Sequence, residues 1–366
     1  MMEGTPVTQV FRIETASGAS RAAAVGACIV LLALVALPVF AGRNLIQDLI
    51  FLFYMLALAQ CWNLLSGYAG LISVGQQAFV GFGGYLLFAL TLWAGIDPLL
   101  AIPFAGLASA IVALPTALIV FRLRGAYFAI GSWVVAEVYR LVFAQFKGLG
   151  GGTGTSLPPQ ATSGVFGIEW VKTLLDVRTP AARDIISYWA ALALMACTLA
   201  FVYATLRSRR GLALGAIRDQ EAVAAGLGVD IYRIKLAVYV ATAAITGMIG
   251  ALIYLQKARI SPDAAFSVLD WTAYVIFIVV IGGIGTMEGP VVGTIVFYLM
   301  QRNLADFGAW YLILVGTLGI VVMLFAPRGL WGFVSERTGL TLFPVRRRLV
   351  IGVGDGEASQ PKSVRD

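Results

Sequence analysis

Several uninterrupted apolar runs are each long enough to cross a lipid bilayer, and that length limits the fold more than any other feature. A helix needs roughly 20 apolar residues to span the hydrocarbon core. Inside lipid every backbone N–H and C=O must be paired within the protein, so only helices or closed barrels qualify. A barrel would alternate apolar and polar residues in segments of about ten, and these runs do not alternate. They lie near 22–41, 45–65, 70–94, 98–121, 125–146, 185–206, 234–256, 268–284, 289–305 and 309–326. Glycine and proline interrupt several of them, which is tolerated in a membrane when neighbours pair the freed backbone groups. The expected fold class is an all-α polytopic membrane protein with about ten hydrophobic segments, some discontinuous. Charged residues make up 12% of the chain, about half the usual share in a soluble domain.

The segments divide the chain into a polar N-terminal tail, 1–20, a membrane domain, 21–330, and a C-terminal tail, 331–366. No short apolar core with a small-residue cleavage site follows the first tail closely, so no removable signal peptide is expected. Charge gives the orientation. Arg122 and Arg124 flank the fourth and fifth segments, and 207–235 carries Arg207, Arg209, Arg210, Arg218, Arg233 and Lys235 against Asp219, Glu221 and Asp230. The tail carries Arg346, Arg347 and Arg348, whereas 148–184 balances Lys172, Arg178 and Arg183 against Glu169, Asp176 and Asp184. The positive-inside rule then makes 122–124, 207–235 and both tails cytoplasmic and 148–184 external. Lys257 and Arg259 fall outside and run against the trend.

The net charge of +7 suits anionic lipid. It does not suggest nucleic acid, because no basic stripe is interleaved with aromatics. Cys28, Cys61 and Cys197 lie in apolar runs without metal-ligand spacing, and histidine is absent. No catalytic constellation and no nucleotide-binding motif is evident. The run "GLGGGTGTSLPP" (148–159) lacks the Gly-Lys-Ser/Thr ending of a phosphate loop. It reads as a flexible external loop, either meeting a substrate-delivering partner or serving as a linker.

One polar stretch stands apart: "GLALGAIRDQEAVAAGLGVD" (211–230). Helical spacing puts Leu212, Ala216, Val223 and Leu227 on one face with Ile217 and Ala224 at its edge, and turns Arg218 and Glu221 away. Gly226 and Gly228 supply a stop. The expectation is one short amphipathic helix, resting either on lipid headgroups or in a groove of a cytoplasmic partner. Its alanine-rich face suits close packing on protein.

"NLLSGYAGLISVGQQAFVGFGGY" (63–85) sets glycines beside Asn63, Ser66, Ser73, Gln76 and Gln77. Two readings stand: a tight helix interface, or a broken helix whose freed groups line a polar pathway. Adjacent glutamines are costly in lipid, so at least one should face protein or water. "GGIGTMEGPVVG" (282–293) repeats the pattern with Thr286 and Glu288, unless it is a cytoplasmic turn with Glu288 solvated. Glu137 and Arg140, at i, i+3 within the fifth segment, are either a mutually satisfied pair or a contact along the pathway.

Four stretches together resemble the LivM-type permease family of branched-chain amino acid ABC importers. They are 63–85, "RLRGAYFAIGSWVVAEVYR" (122–140), the loop 207–236 with "EAVAAGLGVD", and 282–293, in the family's order. The loop, about 207–233, resembles the Glu-Ala-Ala coupling loop that seats a helix in an ATPase cleft. The resemblance implies ATPase-coupling roles for Leu212, Ala216, Ile217, Arg218, Glu221, Ala222, Val223, Gly226 and Leu227. It implies a translocation pathway drawn from Asn63, Ser66, Ser73, Gln76, Gln77, Glu137, Arg140 and Thr286. It further implies a bacterial inner-membrane importer of leucine, isoleucine and valine, with a related second permease (LivH-type), two ATPase subunits and an external binding protein. No cofactor is expected on this chain; ATP and Mg belong to the ATPase subunits. Urea, short amides or other amino acids are alternative cargoes. An ion-coupled secondary transporter is the alternative mechanism, and it would need carboxylates within the spans, where Glu137 stands beside an arginine.

Overall fold

A computed structural model describes residues 9–14, 18–326, 328–338, 342–343 and 348–353. Of the basic tail residues, Arg346 and Arg347 lie outside these. Eight helical stretches are long and apolar enough to cross a membrane: Arg43–Tyr68, Gln76–Ala94, Pro98–Val120, Ala126–Ala144, Thr179–Arg207, Ile231–Lys257, Pro262–Gly282 and Trp310–Thr338. The short apolar stretch Val25–Val39 and the helix Gly289–Leu304 account for the remaining predicted segments. The all-α polytopic fold is therefore the one observed.

In chain order, strand β1 (Gln9–Glu14) precedes helices α1 (Gly18–Ala36) and α2 (Arg43–Asn63). A π-helical turn, Leu64–Tyr68, follows α2 directly. Then come α3 (Gln76–Ala94), α4 (Pro98–Val120) and α5 (Ala126–Ala144). An excursion between α5 and the next long helix holds β2 (Thr155–Ser156), α6 (Pro159–Ser163) and α7 (Ile168–Leu175). Helix α8 (Thr179–Arg207) leads into α9 (Arg209–Asp219) and α10 (Glu221–Gly226), and α11 (Ile231–Lys257) returns. Strand β3 (Arg259–Ile260), α12 (Pro262–Ala265), a second π-helical turn (Leu269–Ala273) and α13 (Tyr274–Gly282) follow. The chain continues through α14 (Gly289–Leu304), α15 (Ala309–Phe325), α16 (Gly329–Thr338) and β4 (Arg348–Val353).

Local chemistry explains the ends. Asp97 caps α4, accepting from the Leu99 N–H at 2.8 Å, and Pro98 occupies the first helical position, where its missing N–H costs nothing. Its other oxygen accepts from the Phe166 N–H at 2.8 Å, tying the 148–178 excursion to the same helix start. Ser208 caps α9 and Asp230 caps α11 through the N–H groups of Arg210 and Arg233. The 148–159 stretch is not a loose loop. Thr155 and Ser156 pair with Ile260 and Arg259, and the Leu157 N–H donates to the Ala258 carbonyl at 2.9 Å. That pairing satisfies backbone that a flexible loop would leave to solvent. Strand β1 pairs antiparallel with β4, so the described parts of the two tails lie side by side.

Packing separates two hydrophobic clusters. The larger one joins α2, α3, α8, α11, α13 and α14, with Trp62, Tyr85, Tyr188, Tyr254, Phe88 and Phe297 fully enclosed. The smaller one sits at the end that carries the basic turns. It joins Leu64 and Leu65 of the π-helical turn, Val202 and Leu206 of α8, Leu214 of α9 and Met287. Glycine permits the closest helix contact. A Cβ on Gly83 of α3 would run into the Gly247 carbonyl of α11, and one on Gly250 would meet the Val80 carbonyl. The small residues of 81–85 thus serve as a packing face. Helices α5 and α15 are the least enclosed, and Tyr127, Trp133, Val134 and Leu141 of α5 face outward.

Candidate coupling face and broken-helix junction

The predicted amphipathic helix is two helices. Gln220 leaves the helical region with φ −156° and ψ 109°, ending α9 and opening α10. The break carries no side-chain cap, glycine or proline to announce it in sequence. Because of the break, the six apolar residues do not form one stripe. Ile217 and Ala224 turn inward with Leu214 and are buried. Leu212, Val223 and Leu227 stand outward, 59%, 54% and 75% exposed. Ala216 is half-buried, and Ala222 and Gly226 are exposed. Glu221 forms an ion pair with Lys235 at the start of α11, which clips α10 to the bundle. The arrangement is a short two-helix shelf, held to the bundle by Leu214, Ile217, Ala224 and the Glu221–Lys235 pair, with Leu212, Val223 and Leu227 exposed.

The glycine-rich stretches meet each other. After Asn63 the chain makes its π-helical turn, then runs without helix through 69–75 before α3 begins. The freed groups find partners. The Ala69 and Leu71 N–H groups reach the Leu64 and Leu65 carbonyls at 3.2 and 2.9 Å. The Trp62 indole N–H donates to the Ser73 carbonyl at 2.8 Å. The Ser73 hydroxyl accepts from the Gly75 N–H at 3.2 Å, and Ser132 of α5 accepts from the Val74 N–H at 2.9 Å.

The side chains predicted as pathway residues are buried and largely engaged. Asn63 donates to the Thr286 carbonyl and accepts from the Gly285 N–H, both at 2.8 Å. Gln60, one turn earlier, donates to the Met287 carbonyl at 2.8 Å. Gln76 donates to the Leu58 carbonyl at 3.0 Å. Gln77, 1% exposed, accepts from the Thr272 hydroxyl in the second π-helical turn. Both glutamines therefore face protein. Ser66 is buried, and its hydroxyl, like Gln60 Oε1 and Gln76 Oε1, has no hydrogen-bond partner among the described residues. Thr286 accepts from the Gly289 N–H at 3.1 Å and donates to the Gly283 carbonyl at 2.8 Å, closing the turn. Glu288 is not solvated: it is buried and accepts from the Leu342 and Phe343 N–H groups at 3.0 and 2.9 Å. Two free backbone donors of the C-terminal segment draw the carboxylate inward.

Glu137 and Arg140 lie apart from this junction. Arg140 pairs with Glu137 at 2.5 Å and with Asp263 of α12 at 2.7 Å, and all three remain partly exposed. Sequence reasoning missed Asp263, Gln60, Thr272 and Leu214. For Gln60 the signal existed: with Asn63 it forms a polar i, i+3 pair on one face of an apolar helix. Asp263 and Thr272 are distant in sequence from their partners, so no local spacing reveals them. Asp184 adds a tie at the opposite end: 3% exposed, it accepts from Arg43 at 2.6 Å and Gln47 at 3.1 Å.

The sequence resembles those of known proteins. Residues 44–326 match the family described as branched-chain amino acid transport system, permease component. The chain is 28% identical over 309 residues to the high-affinity branched-chain amino acid transport system permease protein LivM of Escherichia coli K12, covering 81% of this chain and 72% of that one. It is 28% identical over 281 residues to the protein of the same name from Salmonella typhimurium LT2, covering 73% and 65%. The family match runs from α2 through α15, including the two-helix shelf and the 283–288 turn, and the chain belongs to the permease-component family of branched-chain amino acid transport systems.

Proposed function

We propose that this chain is one permease subunit of an ATP-driven importer of branched aliphatic amino acids in a bacterial inner membrane. Two ATPase subunits, which bind ATP and Mg, engage the shelf of α9 and α10. A related second permease completes the pathway, and an external binding protein delivers cargo. The observation that carries this reading is the outward display of Leu212, Val223 and Leu227 on helices whose inner sides are locked into the bundle. Exposed apolar side chains on a rigid support suit a protein groove. Arg122, Arg124, Arg207, Arg209 and Arg210 lie at or just past the ends of α4 and α8 next to the shelf, and by the positive-inside rule this supports reading that end, and with it both tails, as cytoplasmic. Glu137 and Arg140, half-exposed on the least enclosed helix, are the pathway residues most open to water or cargo.

The test is radiolabelled leucine uptake by source cells with and without the gene, with urea alongside. Gene-dependent leucine uptake blocked by vanadate supports the reading. Movement of urea instead would keep the architecture and change the cargo. Uptake blocked only by an uncoupler would replace ATP drive with ion coupling.

A further inference from the structure

Taking the proposed ATP-driven function as its basis, we infer that the contact between Gly67 and Gly285, clamped by Asn63, is the joint through which displacement of the coupling shelf reaches α2. Asn63 is then a positioning residue that acts by holding the 283–288 turn.

Three observations meet at this point. First, the Gly67 and Gly285 backbones approach closely beside the Asn63 side chain, whose Oδ1 would lie 2.5 Å from a Cβ on Gly67. A Cβ on Gly67 would lie 2.6 Å from the Gly285 nitrogen and 2.9 Å from its Cα. Gly285 has φ +74°, a conformation that glycine adopts without steric cost. Second, the Asn63 amide brackets the turn, accepting from the Gly285 N–H and donating to the Thr286 carbonyl. Third, Arg218, in the last turn of α9, reaches the same turn: a Cβ on Gly285 would sit 3.3 Å from Arg218 Nη1. The shelf, the turn and the broken end of α2 also share one hydrophobic cluster, through Leu214, Met287, Leu64 and Leu65.

A close-packed unit transmits displacement because it has little free volume to absorb it. A π-helical turn marks a local departure from the α-helical ladder and often falls at functional sites. Here it lies where the shelf would push. Packed side chains and hydrogen bonds can carry coupling between sites, and such contacts join the shelf, the turn and α2.

The experiment uses the assembled complex in proteoliposomes and reads ATP hydrolysed per leucine imported. Asn63→Ala removes both clamp bonds and is expected to raise that ratio by roughly fivefold or more, the scale of a typical coupling free energy. Arg218→Ala, at a partly exposed side chain that leaves the clamp intact, is expected to raise the ratio in the same direction without lowering Tm. Should Asn63→Ala fail to fold, Asn63→Asp, which keeps the acceptor for the Gly285 N–H and loses the donor to the Thr286 carbonyl, decides. An unchanged ratio in the folded variants would overturn the joint and leave Asn63 as a static brace. Absence of ATP-driven uptake by the unaltered complex would overturn the functional reading and the joint with it.

Discussion

The polar groups at the two ends of the membrane domain differ in how their bonds are spent. Around the broken end of α2, Asn63, Gln60, Gln76 and Gln77 are buried and direct their amides at backbone or at Thr272. At the other end Glu137, Arg140 and Asp263 pair with one another and stay partly exposed. Neutral amides are thus spent inside the fold, whereas charged groups pair at its surface. Interrupting a helix at membrane depth strands backbone groups that lipid cannot pair, and the buried amides pair them. The exposed ion pairs stabilise little and keep their charge available.

Substitutions can break this contrast, and packing changes should have the largest effect. Gly83→Val forces a side chain into the Gly247 backbone, a kind of overpacking that costs about 1–3 kcal/mol or more. A clear fall in Tm of the solubilised protein is expected. Gln77→Leu comes next. It leaves the buried Thr272 hydroxyl without its acceptor, at about 1–3 kcal/mol, again read as a lower Tm. An unchanged Tm would place Gln77 with the exposed group. Arg140→Gln should cost under about 1 kcal/mol, as exposed ion pairs do, yet lower uptake if Arg140 meets the cargo. A large fall in Tm with unchanged transport would make the trio structural. Smallest of all is Gly215→Ala on α9, where a Cβ would meet nothing within 4 Å. Removing a helical glycine there should raise stability by about 0.5–1 kcal/mol.

The spans were readable because apolar length alone dictates them, and glycine clusters marked the interruptions near 63–85 and 282–293 but not the π-helical turn Leu269–Ala273. Which polar side chain closes which gap was not readable. Asn63 and Gly285 are 222 residues apart, and no local pattern names such a partner. The break at Gln220 was also hidden. "RDQEAV" contains no glycine or proline, and the chain bends there without a capping side chain. A helical wheel drawn through the break consequently joined exposed Leu212 and Leu227 to buried Ile217 and Ala224. The outward and inward sets separate only when each helix is taken alone.

The shelf carries the functional reading, so the most direct measurement is ATP-driven leucine uptake by the reconstituted complex carrying Leu212→Asp, Val223→Asp and Leu227→Asp. These three side chains are exposed, and exposed substitutions of this kind usually change stability by no more than about 0.5 kcal/mol. The account predicts a folded permease with unaltered Tm and no ATP-driven uptake, because the ATPase subunits lose their seat. Uptake at the unaltered rate would contradict it and remove the shelf as the site of coupling.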